Sequence, residues 1–332
     1  PAAGSPALAC RVSAVERRSG QIELTEPAAV EDQRRSGAVV KAQHPTYDDG
    51  VVSAFVNGMA RTIETGQHRT QPRLGQGAVA GEVLRERDLV GREGRFVAEG
   101  SVVLRELTRA GRFKLESVLM AENRVTAMTD WIAALPQAVP VYRASRDVMD
   151  TIAGFPIHRG LLGIGLRGEE PDAQALLAQM PVDALVICCV GITNHDNIGG
   201  IFRNAAAFGA AGILLDGACC DPLYRKALRV SVGAAASMPF ARCGDAGELV
   251  AHLARHDFTA LALTPGGTQT LDEAAQQFRG RRAVILGTEG PGLPRAVLEA
   301  CEGVSIPMHG GFDSLNVATT SGIALYALTR SS

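Results

Sequence analysis

Three short segments carry polar residues at spacings from which a reaction site can be built, and each follows a compact apolar run. The first is NHDNIGGIFRNAAAFG, residues 194–209. Arg203 and Asn204 interrupt an apolar series made of Ile201, Phe202, Ala205, Ala206 and Phe208. A guanidinium is costly to bury without a partner, so this helix either shows Arg203 to water or presents it to a bound molecule. Asn197 is placed to cap the helix, and Arg203 follows nearly two turns later. The second segment is LGTEGPGLP, 286–294, whose Gly287, Gly290 and Gly292 let the backbone turn tightly and approach a ligand; Glu289 is its only charge. The third is IPMHGGFDSLNVATTSGIALYAL, 306–328. Here a strand end at Ile306–Met308 leads through a loop bearing Ser314 and Asn316 into a helix of small residues, Ala318 to Ala324, that permits close backbone packing.

The elements around these segments have a common pattern. From Asp183 onward the runs ALVICCV, AGILLDG, SMPFARC, FTALALTPGG, RRAVILGTEG and GVSIPMHGG are short and apolar on consecutive positions, as strands buried on both faces are. Helical stretches separate most of them, which predicts a largely parallel sheet sandwiched by helices. Ligands of such sheets bind outside the carboxyl ends of the strands, where all three polar segments fall.

Residues 79–168 alternate strand and helix signals on a smaller scale. GRFVAEG, LESVLMA, AVPVYRA and RGLLGIGLRG read as strands. SVVLRELTRAG reads as a helix ending at Gly111, a second helix surrounds Trp131, and SRDVMDTIAG reads as a helix capped by Ser145. Gly163, Gly165 and Gly168 satisfy G-x-G-x-x-G but lie within a strand rather than between a strand and a helix, so a nucleotide fingerprint is not expected there. Between Arg85 and Lys114 eight basic residues face five acidic ones; a solvated helix face accounts for most of them, and a phosphate-contacting patch is the sharper reading. Residues 169–182 read as a partly helical linker. Residues 1–78, rich in Gly, Pro, Arg, Gln and Ala, read as a largely flexible extension with one short helix carrying Val51, Phe55, Met59 and Ile63.

Composition narrows the function classes. The chain has 332 residues, 46% of them apolar, and a net charge of −2, so any nucleic-acid binding must use a local basic patch rather than a global field. Seven cysteines without C-x-x-C spacing, two pairs of them adjacent, suit buried thiols in a reducing compartment, and His and Cys never cluster at metal-ligand spacing. PAAGSPALAC lacks the pattern of a signal peptide, and ALVICCVGI is far too short to span a bilayer, so a cytoplasmic protein is expected.

Taken in order, NIGGIFRNA, GTEGPGL and SLNVATTSGIAL resemble the three motifs of the SpoU (TrmH-like) family of RNA ribose 2′-O-methyltransferases, within a domain at 183–332. The segments GRFVAEGSVVLREL and FPIHRGLLGIGL resemble the L30e-like substrate-binding domain of many members, at 79–168. The resemblance implies a trefoil-knotted SPOUT methyltransferase domain with a mostly parallel sheet, preceded by a small L30e-like α/β domain. It also implies S-adenosylmethionine as cofactor, with Leu263, Thr264, Gly287, Gly290, Ile306, Met308 and Leu315 around its adenine. The implied catalytic set is Asn197, Arg203, Glu289, Ser314 and Asn316. The implied partners are RNA, ribosomal rather than transfer, and a second copy of the chain bound through the C-terminal domain. No step needs a metal. Two rival readings are a non-catalytic RNA-binding protein with a degenerate C-terminal domain and an NAD-type enzyme using the 163–168 glycines.

Overall fold

A computed structural model of the protein describes residues 12–18, 21–24, 94–153, 157, 159–310 and 314–330. The chain separates into two compact units, one of residues 1–101 and 115–166, the other of residues 102–114 and 167–332. The expected helix at 51–63 lies outside the described residues.

The first unit is a six-stranded mixed sheet in the order β2-β1-β5-β4-β6-β3. Its strands are β1 Val12–Arg18, β2 Gln21–Leu24, β3 Arg95–Glu99, β4 Lys114–Ala121, β5 Val141–Ala144 and β6 Leu161–Leu166. The helices in this stretch are α1 Ser101–Ala110, α2 Thr129–Ala134 and α3 Arg146–Ala153. Each of these from β3 onward matches the sequence expectation. Part of the supposed flexible extension does not: β1 and β2 form an antiparallel pair, and β1 adds to the edge of the sheet against β5. The alternation in VSAVERR, followed by Ser-Gly and QIEL, is a hairpin signal hidden in a Gly- and Arg-rich neighbourhood. Gly163 and Gly165 sit inside β6, and a Cβ at Gly165 would overlap the ring of Phe96, so Gly165 serves strand packing.

The second unit holds seven strands in the order β11-β13-β10-β12-β7-β8-β9, every neighbouring pair parallel. They are β7 Leu185–Cys189, β8 Gly212–Leu215, β9 Phe240–Arg242, β10 Thr259–Leu263, β11 Gln269–Thr270, β12 Arg282–Leu286 and β13 Glu302–Ser305. The helices are α4 Ala173–Ala178, α5 His195–Ala207, α6 Arg225–Val230, α7 Ala234–Ser237, α8 Ala246–Arg255, α9 Leu271–Gln277, α10 Arg295–Glu299 and α11 Val317–Arg330. One face of the sheet, with Val186, Cys188, Ala241 and Ile285, packs on Leu177 of α4, Leu249 and Leu253 of α8 and Val297 of α10. On the other face Phe240 meets Phe202 of α5 edge-on at 5.6 Å. Both faces being covered, the central strands β7, β8 and β12 are buried at every position, as their unbroken apolar runs require.

Two readings change here. The supposed linker is no spacer: Ala173, Leu177 and Met180 belong to the core of the second unit. Of the basic residues before Lys114, Arg95 is held by Glu116 at 2.9 Å and Arg109 by Glu106 at 2.6 Å. Arg112 donates to the carbonyls of Met238 and Phe240 and lies 4.1 Å from the Phe240 ring. Burial pushes its pKa down to about 10. Arg112 is therefore structural, and it ties residues 102–114 to the second unit.

Candidate active site

Parallel strands end on one side of a sheet, and β13, β10 and β12 are neighbours, so their carboxyl ends share a crevice. A cavity of about 480 Å³ opens there. Its walls are apolar: Leu263, Leu286, Val304, Ile306, Met308 and Leu315. Gly287 and Gly290, Thr264, Glu289, Ser314 and Asn316 also line it, so every residue expected at the adenine and three of the five expected catalytic residues meet in one place.

The 287–293 loop is fixed by its glycines. A Cβ at Gly287 would stand 2.7 Å from backbone atoms of Gly292 and Leu293, and Gly290 has φ +89°. The Gly292 N–H donates to the Thr288 carbonyl at 3.2 Å, which closes the turn and aims Glu289 outward.

Asn197 and Asn316 meet that carboxylate. The Asn197 amide donates to Glu289 Oε1 at 3.0 Å, and the Asn316 amide donates to the same oxygen at 3.2 Å and to Asn197 Oδ1 at 2.8 Å. Asn316 also caps α11, its Oδ1 accepting from the N–H groups of Ala318 and Thr319. One residue of each polar segment thus joins in a triangle. The expected capping role of Asn197 is corrected: Asn194 caps α5 by accepting from the Asp196 N–H at 2.8 Å, while Asn197, one turn in and buried, is spent on Glu289.

The loop that launches α5 is held from below. The buried Asp216 carboxylate at the end of β8 accepts from the N–H groups of Gly191, Ala218 and Cys219. Cys219 Sγ accepts from the Ile192 N–H, and burial pushes its thiol up to about 12, which makes it a packing group rather than a nucleophile. His195, the first residue of α5, meets the Tyr224 ring at a tilt of 54° with ring centres 4.6 Å apart; burial, then the charge of Lys226, lowers its pKa.

The small residues of α11 do what their size allows. A Cβ at Gly200 of α5 would come 2.6 Å from the Cβ of Ala318, and Asn204 donates to the Ala318 carbonyl at 2.6 Å and to Ser321 Oγ at 2.9 Å. Asn204, passed over in the sequence as a candidate, is therefore the polar bolt between the two helices.

Arg203 is placed differently from the other candidates. It is exposed, forms no hydrogen bond or ion pair among the described residues, and does not line the cavity. Six residues at 1.5 Å rise put it about 9 Å along α5 from Asn197. Thr288, Val317 and Thr320 were missed as lining residues. Thr320 was findable, since it lies one turn after Asn316 on the same helix face, and its hydroxyl donates to the Asn316 carbonyl at 3.1 Å.

Comparison with known proteins gives this arrangement relatives. The family model described as "SpoU rRNA Methylase family" matches residues 184–326. An uncharacterized tRNA/rRNA methyltransferase of Mycobacterium bovis is 38% identical over 264 residues, covering 78% of this chain and 89% of that protein. The 23S rRNA (guanosine-2′-O-)-methyltransferase RlmB of Acinetobacter baylyi is 31% identical, covering 59% and 81%. The fold matches a crystal structure of an RNA 2′-O ribose methyltransferase with a TM-score of 0.61 at 27% identity, over 74% of this chain and 94% of that one. It also matches the SpoU methyltransferase AviRb from Streptomyces viridochromogenes, solved with the cofactor AdoMet, with a TM-score of 0.64 at 22% identity over 74% and 92%.

Proposed function

The chain belongs to the SpoU rRNA methylase family, and from that premise we propose that it methylates a ribose 2′-hydroxyl of ribosomal RNA with S-adenosylmethionine as cofactor. The observation that carries this is the Asn197–Glu289–Asn316 triangle at the rim of a glycine-edged apolar cavity. The cavity suits the cofactor: its volume lies in the range of about 300–1,000 Å³ usual for small-molecule sites. Leu263, Ile306, Met308 and Leu315 offer apolar walls for a purine, and Gly287 and Gly290 leave backbone groups open to it. S-adenosylmethionine supplies a methyl group already activated on a sulfonium.

The residues of this chain then have to orient the hydroxyl. Glu289, held by two amides, keeps a fixed carboxylate at the cavity mouth, with Ser314 and Asn316 lining the cavity beside it. Arg203 would bind the RNA phosphate next to the target ribose; a guanidinium keeps its proton at neutral pH, so its role is positional. Its place outside the cavity lining favours a site shared between two copies. A homodimer through α11 fits that need. Ile323 and Tyr326 of α11 are 38–50% exposed and, with Thr319, form a stripe left open by the described residues. The knotted course implied by the family pattern is part of the same proposal, as is the first unit as an RNA-docking domain. Cytoplasmic location follows from such a substrate; among the described residues no helix is long and apolar enough to cross a membrane.

Ribosomal RNA is favoured over transfer RNA by the Acinetobacter relative, which is named for 23S rRNA. The test is a map of 2′-O-methyl positions in cellular RNA with and without the gene. Loss of one ribosomal position supports the proposal, loss of a transfer-RNA position moves the substrate, and identical maps overturn it.

A further inference from the structure

Asp216, at the end of β8, is a buried carboxylate that the proposed reaction leaves unused. It is 5% exposed and forms no ion pair among the described residues, so backbone N–H groups must offset the cost of keeping its charge from water. Its Oδ1 accepts from the Ala218 N–H at 3.2 Å and the Cys219 N–H at 3.0 Å, which closes its own loop. The third donor is 25 residues away in the chain: the Gly191 N–H is shared by both oxygens, 3.0 Å from Oδ1 and 3.1 Å from Oδ2.

Gly191 stands where the loops of two polar segments touch. It has φ +67°, and a Cβ there would lie 3.6 Å from the Thr288 Cβ. Thr288 lines the cavity, precedes Glu289, and takes the Gly292 N–H that closes the glycine turn. In the chain direction Gly191 leads to Asn194, the cap of α5, and so to Asn197, which holds Glu289. The neighbours of Gly191 are clamped as well. The Val190 N–H donates to the Leu286 carbonyl at 2.9 Å, and Ile192 donates to Cys219 Sγ and accepts from the Cys220 N–H at 2.9 Å. The loop that carries Asp216 is itself held: Arg242 donates to the Cys219 and Cys220 carbonyls, and the Gly217 N–H donates to the Gly244 carbonyl at 2.6 Å.

We propose that Asp216 is a positioning residue for methyl transfer: through the Gly191 N–H it sets the loop that places Asn197 and Thr288, and with them the Glu289 carboxylate. The proposal rests on the methyltransferase reading above and deepens it. A shift of about 1 Å in groups that orient a substrate can cost about a hundredfold in rate. The apolar walls Leu263, Ile306 and Met308 come from the ends of β10 and β13 instead, so the effect falls on rate rather than on cofactor binding.

The test uses the full chain and ribosomal RNA isolated from cells lacking the gene. Asp216→Asn keeps the size of the side chain and the oxygen that closes its own loop, but it sets an NH2 group against the Gly191 N–H. Its kcat should fall about tenfold or more, with KM for RNA and for S-adenosylmethionine within about twofold of the parent. In an Asn197→Ala background the further loss should stay below about threefold, because both residues act on one carboxylate. Amide exchange followed by mass spectrometry should quicken in residues 286–293, which Asp216 does not bond. Asp245→Ala strips the cap of α8 and is the control for lost stability; its kcat and its exchange at 286–293 should stay parental. Parental kcat in Asp216→Asn, an equal loss in Asp245→Ala, a full multiplied loss in the Asn197→Ala background, or unchanged exchange at 286–293 overturns the proposal. If the parent itself transfers no methyl group to RNA, the methyltransferase reading falls, and exchange at 286–293 alone decides whether Asp216 clamps the two loops.

Discussion

The cavity at the ends of β13, β10 and β12 and the outer face of α5 are built on opposite principles. The cavity is shaped by backbone and apolar side chains, and a single carboxylate, Glu289, stands in it. The face of α5 presents Arg203 to solvent with nothing of the described chain to neutralise it. Shape recognises a compact, partly apolar cofactor, whereas exposed charge recognises a large anion whose counterions are released on binding. The contrast predicts that the two halves of the reaction can be broken separately.

Gly287→Val should break the cavity most completely. Its Cβ would collide with backbone at 2.7 Å, which cannot yield as a flexible side chain would. Cofactor affinity measured by calorimetry should fall at least about a hundredfold, some 2.7 kcal/mol, with the fold retained by circular dichroism; unchanged affinity would move the cofactor elsewhere. Gly290→Val acts by strain alone, since its Cβ would meet nothing, and should cost about tenfold.

Arg203→Ala should break the other half. Methyl transfer should drop about a hundredfold or more while cofactor affinity stays within twofold, and Arg203→Lys should restore little, because a fork geometry is lost. Near-parental transfer by Arg203→Ala would make this Arg an ordinary surface residue. Asn197→Ala sits between the two regions. It removes one of two amides on Glu289, and a hydrogen bond to a charged group is worth about 1.5–3 kcal/mol, so kcat should fall about tenfold or more with cofactor binding little changed.

The smallest effect concerns pH. Burial and Lys226 hold the His195 pKa below its ordinary value of about 6.5. The unfolded chain then binds the proton more readily than the folded one, so stability present above about pH 6.5 is lost as pH falls through the folded value. The Tm should decline between pH 6.5 and 5, and His195→Phe should flatten that decline. An identical decline in the variant would assign the sensitivity to other groups.

The buried parallel strands were legible because burial on both faces leaves unbroken apolar runs, and LVICC and RAVIL have no alternative use. The cavity was legible because glycines and apolar strand ends are local features. The roles of individual polar residues were not. TNHDN offers four capping side chains within five positions, and only Glu289, 92 residues away, decides that Asn197 is the one withdrawn for the site. Arg112 looked like a surface cation because its acceptors, the carbonyls of Met238 and Phe240, lie more than 120 residues away in the chain.

The close fit of Gly200 against Ala318 has a bearing on how the protein comes to exist. These residues are 118 apart in sequence, as are, nearly, Asn197 and Asn316. Contacts of such separation form late, because the loop between them must close before they reward it. While residues 314–330 are still being synthesised, α5 already has its full length but lacks the neighbour that covers Gly200 and satisfies Asn204. A nascent chain stalled before that point therefore has a sheet but lacks the Ser314–Thr320 wall of the cavity, and on the cofactor site proposed above S-adenosylmethionine would bind only to molecules in which α11 has docked.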